Sequence, residues 1–147
     1  MENYQEIVNK IADMYRASLK DTGTNASGKL SSFTSDFEIN NNHFRIYFNM
    51  VPYWRFAENG RKPGKPAPVD AIEKWILIKP LVPSGRNGRV PTTRQLAYAI
   101  SKSIGKKGTK GKHALRNVIY SPMMDSIVEQ LKQMLIKDTI KKIVEEI

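Results

Sequence analysis

The 147-residue chain contains no cysteine. That excludes disulfides, thiolate zinc sites and cysteine nucleophiles together. Histidine is nearly as scarce. His43 and His113 are the only two, and neither has a second histidine or a carboxylate at helical spacing to complete a metal-ligand pair. His43, beside a proposed strand turn, reads as structural or solvated; His113, inside a basic stretch, reads as a nucleic-acid or surface contact. No apolar run approaches the roughly 18–20 residues of a membrane span. The segment Met1-Glu2-Asn3-Tyr4-Gln5-Glu6 lacks the basic-then-apolar order of a signal peptide. The expectation is a soluble chain made in a cytoplasm.

Acids are missing from the middle. Residues 52–116 hold 15 Lys or Arg against three carboxylates, Glu58, Asp70 and Glu73, within a whole-chain net charge of +10. A two-metal nuclease needs several converging carboxylates; three suffice geometrically, but the shortage counts against one. A basic block of this kind attracts phosphate or an acidic protein surface, or is simply a solvated cationic face. The run Gly105-Lys106-Lys107-Gly108-Thr109-Lys110-Gly111-Lys112 has the composition of a phosphate-binding loop but not its order. Gly105 and Gly108 are wrongly spaced, His113 stands where a hydroxyl residue is required, and a helix precedes the run instead of a strand. Nucleotide hydrolysis is rejected. The sequence implies no cofactor, no metal, no small-molecule substrate and no enzymatic activity.

What is present suits one globular domain over residues 1–147, with 40% hydrophobic residues and no repeat or linker. Tyr4, Ile7, Val8, Ile11, Met14, Tyr15 and Leu19 recur at helical steps, and Gly23 stands where that helix should stop. Residues 32–40 and 43–50 alternate as strands, with Asn40-Asn41-Asn42 as the hairpin turn. The alternation implies an antiparallel sheet with one wet face. Tyr53-Trp54-Arg55-Phe56 continues the second strand. These rings read as core or subunit interface, with stacking on nucleobases as the alternative. Asp70 and Glu73 have capping-box spacing for a helix whose core face is Ile72, Trp75 and Ile76 and which Pro80 ends; Glu58 reads as facing an arginine or ending a turn. Thr92 and Gln95 open another helix, ending at Gly105. Residues 114–120 fit either a short helix or a strand. Ser121-Pro122 starts a last helix carrying Met124, Ile127, Val128, Leu131, Met134, Leu135, Ile140, Ile143, Val144 and Ile147. The fold class is α+β, an antiparallel sheet packed with amphipathic N- and C-terminal helices.

The order of these features resembles the small neck and tail-completion proteins of tailed bacteriophages, the HK97-type tail-component family. The resemblance rests on Tyr53-Trp54-Arg55-Phe56-Ala57-Glu58-Asn59-Gly60, an aromatic stretch closing in Glu-x-Gly, followed by the proline-bearing Arg61-Lys62-Pro63-Gly64-Lys65-Pro66-Ala67-Pro68 and the helix-forming residues 95–109. It covers roughly two thirds of the chain. The family's Pro-x-Pro-Phe-Leu-like segment is absent; Pro66-Ala67-Pro68-Val69 leads straight into a tryptophan-bearing helix. The resemblance implies a non-enzymatic subunit of a homo-oligomeric ring in the virion neck or tail, assembled in the bacterial host cytoplasm. It would contact its own copies and other neck, portal-adaptor or tail proteins. Under that reading Tyr53, Trp54, Phe56, Glu58, Gly60, Arg61, Lys62 and Lys65 lie at a subunit or partner boundary. Arg86, Arg89, Lys106, Lys107, Lys110 and Lys112 then face packaged DNA or an acidic partner. The competing reading is a free, sequence-nonspecific DNA- or RNA-binding protein using the same bases.

Overall fold

Asn3 starts the first helix, α1 (Tyr4–Asp21). Its side chain accepts the Glu6 N–H while the Glu6 carboxylate accepts the Asn3 N–H, satisfying amides that a helix start leaves without partners. The expected stripe is the buried one: Ile7, Val8, Ile11, Tyr15 and Leu19 are covered, as is Ala12. Each of the larger side chains contributes about 1.5–3 kcal/mol by leaving water. Throughout, this computed structural model describes residues 3–24, 28–40, 43–79, 85 and 87–147. The expected Asn41-Asn42 turn, the Pro80 stop and Arg86 lie outside the described residues.

Strands β1 (Thr34–Asn40) and β2 (His43–Asn49) form the expected antiparallel hairpin, with Asn40 opposite His43. Phe37, Phe44, Ile46 and Phe48 are half-buried, while Asp36, Glu38, Arg45 and Tyr47 are exposed. Alternation thus leaves one wet face, as predicted. The inner rings meet α1: Tyr4 lies 5.6 Å from Phe44 and Tyr15 lies 5.9 Å from Phe48. Ser32 and Phe33, expected in the strand, precede it. Leu30–Ser32 forms a 3-10 turn that drops Leu30 and Phe33 into the core. Arg16 holds that turn, donating to the Ser31 and Phe33 carbonyls, both at 3.0 Å, with its guanidinium over the Phe33 ring.

The aromatic stretch does not continue β2. Pro52 cannot donate to a strand ladder. The Val51 carbonyl instead accepts the Trp54 N–H at 3.1 Å, and the chain turns into a short helix, α2 (Trp54–Asn59). Strand β3 (Gly60–Arg61) follows, then α3 (Val69–Ile78) and α4 (Thr93–Lys107). Strand β4 (Thr109–Lys110), pairing antiparallel with β3, makes a second two-stranded sheet. The Thr92–Gln95 capping box on α4 is present; the one expected on α3 is not. Pro68 precedes α3, and Asp70 and Glu73 are drawn instead to Arg94 of α4, at 2.7 and 2.9 Å. Ile72 and Ile76 pack on Ala97 as a separate small core. Trp75, expected beside them, is 41% exposed.

The ambiguous stretch is helical, α5 (Ala114–Ile119). The Ser121 hydroxyl caps α6 (Pro122–Glu146) by accepting the Met124 N–H. Ile127 and Leu131 of α6 pack on Ile7 and Ile11, and the Tyr4 hydroxyl donates to Asp138. The result is the α+β arrangement read from the sequence. Among the described residues, no helix is long and apolar enough to cross a membrane.

Tyr15 is 1% exposed, and burial, with the Glu58 charge second, pushes its phenol from 10.0 up to about 12. The native state therefore favours the neutral phenol. This contribution to stability is intact below pH 10.0 and is lost as pH rises through about 12. Urea titrations across that window should show wild type losing more stability than Tyr15→Phe. Parallel losses would refute the assignment.

Candidate functional site

Residues 57–64 and 105–113 run antiparallel and are joined along their length. The Lys112 N–H donates to the Ala57 carbonyl (2.9 Å), His113 to Glu58 (3.2 Å) and Gly64 to Gly105 (2.8 Å). Between them Gly60 pairs with Lys110 and Arg61 with Thr109. This seam links the body, made of α1, the hairpin, α5 and α6, to the α3–α4 pair. The stretch expected to be a basic loop is the end of α4, then a strand.

Two glycines permit the approach. Gly60 has φ +80°, and a Cβ there would stand 2.3 Å from the Thr109 carbonyl oxygen; Gly108 has φ +71°, and its Cβ would meet the Arg61 oxygen at 2.1 Å. Both the left-handed backbone and the contact exclude a side chain. The Gly of Glu-x-Gly is thus a packing requirement.

The Glu of that motif is one as well. Glu58 is 7% exposed, and its carboxylate accepts the N–H groups of Leu115 and Arg116, each at 2.9 Å. Those amides belong to the first turn of α5, whose N-cap residue, His113, offers no side-chain cap. Glu58 supplies the cap from another helix. Its carboxylate faces backbone amides and not an arginine side chain, which corrects that expectation. The three acids of the middle region therefore divide between α5 and Arg94. Among the described residues, no three His, Asp or Glu side chains gather as metal ligands do.

Folding brings together most of the basic residues expected at a site. Lys62 and Lys65 on one side of the seam and Lys106, Lys107, Lys110 and Lys112 on the other are all exposed. Neither residues 59–68 nor 105–113 contain a carboxylate. The ion pairs among the described residues involve Arg16, Arg94, Lys132 and Lys141, and none of the seam's bases. Part of this charge has a local use, since Lys106 and Lys107 occupy the last turn of α4, where cations offset the helix dipole. Arg61 lies with its guanidinium 5.7 Å from the centroid of the Phe56 ring, and Phe56 is 56% exposed. Trp54 is half-buried against the core around Tyr15 and Phe33, which leaves Tyr53 and Phe56 as the exposed rings. Arg89 is exposed in the segment that leads into α4.

Sequence reasoning missed a groove lined by Tyr53 together with Trp75 and Ile78 of α3. The available signal was the apolar run Trp75-Ile76-Leu77-Ile78, too continuous for one helix face. Compared with protein-family models, curated proteins and solved structures, the chain matches none.

Proposed function

We propose that this chain is a structural subunit of a bacteriophage virion, forming a homo-oligomeric ring at the neck, the head–tail junction or the tail end. It would join portal-side proteins to tail proteins and carry out no catalysis. The observation that carries the reading is the seam. Six exposed lysines, from Lys62 to Lys112, project from backbone fixed by paired strands and by the Glu58 cap. Like charges held this close repel one another, so the arrangement is suited to an anionic surface brought against it. Exposed Phe56, with Arg61 across its ring, adds the kind of aromatic anchor that protein interfaces favour.

The test is the mass of complexes formed when the purified chain is mixed with purified portal, neck and tail components. A complex holding several copies of the chain on one component is expected. Failure to bind any component, with tight binding to free duplex DNA, would transfer the protein to the second reading, a sequence-nonspecific nucleic-acid binder. That reading is favoured by the absence of any carboxylate from residues 59–68 and 105–113.

A further inference from the structure

The α3–α4 pair has a core of its own. Ile72, Ile76 and Ala97 are covered by Ala67, Val69, Leu96, Ile100 and Ile104, all from the pair itself or the segment leading into it. The two cores of the body lie around Tyr15 and Phe33 and around Ile7 and Ile127, and neither draws in a described residue from 58 to 113. The polar ties of the pair are internal as well. Arg94 of α4 holds Asp70 and Glu73 of α3, and the Ser101 hydroxyl of α4 donates to the Ala67 carbonyl before α3. Helices that pack and pair with one another in this way form a unit that moves as one piece.

What joins the unit to the body is narrow. Strands β3 and β4 are two residues each. A two-stranded ribbon accepts larger twists than a wider sheet, because no third strand holds it. A second link comes from the C-terminal end of α3, where the Lys79 ammonium donates to the Gly23 carbonyl after α1, at 2.8 Å. A single exposed hydrogen bond is readily exchanged for one to water. The groove runs between the two units. Thr24 and Tyr53 line it from the body, and Ala71, Trp75 and Ile78 line it from α3, around a volume of about 760 Å³. That space leaves α3 room to move, and Tyr53, Trp75 and Ile78 lose water as it closes.

We propose that α3 and α4 form a hinged arm that swings on the β3–β4 ribbon, toward and away from Tyr53, with Lys79 as the stay that limits the swing. Hinges of this kind sit in a few element-terminal residues and leave the packed units on either side unchanged. Twisting keeps the two strands paired, so the lysines of the seam hold their order while the arm moves. The swing lets one fold present α3 and α4 to a neighbour at more than one angle. It goes beyond the virion reading and does not depend on it.

Distances between pairs of nitroxide labels on the full chain, read by pulsed electron paramagnetic resonance, test this. The chain has no native cysteine, so each introduced thiol is labelled alone. The positions are all exposed. Lys10→Cys on α1 with Lys102→Cys on α4 reports from body to arm. Lys10→Cys with Lys132→Cys on α6 reports within the body, and Lys74→Cys with Lys102→Cys within the arm. The body–arm distribution should be at least about twofold broader than either control, as a collective motion requires. Lys79→Met keeps the length of the side chain and removes the stay, and should broaden the body–arm distribution further while both controls stay as they were. A body–arm distribution as narrow as the controls, with and without Lys79→Met, would overturn the proposal. So would controls as broad as the body–arm pair, since the motion would then be general loosening and not a hinge. A broad distribution that Lys79→Met leaves unchanged would overturn the part given to Lys79.

Discussion

Glu58→Ala is expected to lower the unfolding free energy by about 2–3 kcal/mol, the cost of two part-buried amides without acceptors plus the lost cap. The amides are those of Leu115 and Arg116, and Glu58 is 7% exposed, so water does not simply replace the carboxylate. Against a typical total of about 5–15 kcal/mol for a domain, that is a large fraction. Glu58→Gln keeps one acceptor and turns an amide donor toward the second N–H, so it should fall between wild type and alanine. Urea unfolding measures the difference, and hydrogen exchange at Leu115 and Arg116 locates it, because the loss should open α5 first. Glu58→Ala within about 0.5 kcal/mol of wild type, the range of ordinary surface changes, would show that the cap is energetically idle. The seam shares backbone with both α2 and α5, so losing the cap should also loosen the lysines of residues 106–112.

The uneven legibility of this fold follows from the range of the signals involved. Thr92 with Gln95 and Ser121 before Pro122 are local codes, complete within a few residues, and both helix starts stand where they were expected. The hairpin was legible because a period of two persists through all seven residues of the second strand and the first five of the first. Glu58 could not be assigned its partner, since Leu115 lies 57 positions away and offers a backbone amide, a group every residue but proline has. The helix at Tyr53-Trp54-Arg55-Phe56 was missed because six residues are too few to display a helical period. The turn after Pro52 and the packing of Trp54 on the core decide it. In α3, Ile72, Trp75, Ile76, Leu77 and Ile78 surround the axis, so only the position of α4 settles that Ile72 and Ile76 turn inward and Trp75 outward. Composition gave residues 105–112 the look of a basic, glycine-rich loop. The glycines that gave that impression are the ones that let two backbones touch.

Replacing Lys106, Lys107, Lys110 and Lys112 together by glutamine should abolish assembly onto an acidic neighbour while the chain stays folded. All four side chains are exposed and none is in an ion pair among the described residues. Their structural loss is limited to the dipole interactions of Lys106 and Lys107 at the end of α4, about 0.3–1 kcal/mol each at most, and is partly offset by relief of mutual repulsion. DNA affinity decides what the charge meets. If the seam faces protein, the variant should bind duplex DNA about as weakly as wild type does. If it faces packaged DNA, recognition is led by phosphate, because lysine provides point charge without base-reading geometry. Wild-type affinity would then fall with salt by a log–log slope of about −0.9 per phosphate neutralised. Removing four lysines would flatten that slope by up to about 3.6, which corresponds to a difference on the order of a hundredfold between 50 and 200 mM salt. The seam's fixed backbone and the exposed Phe56 beside it favour the protein arm, since a flexible cationic tail would serve phosphate equally well. A quadruple variant that assembles normally and whose DNA affinity and salt slope match wild type would reduce the seam to a solvated cationic face.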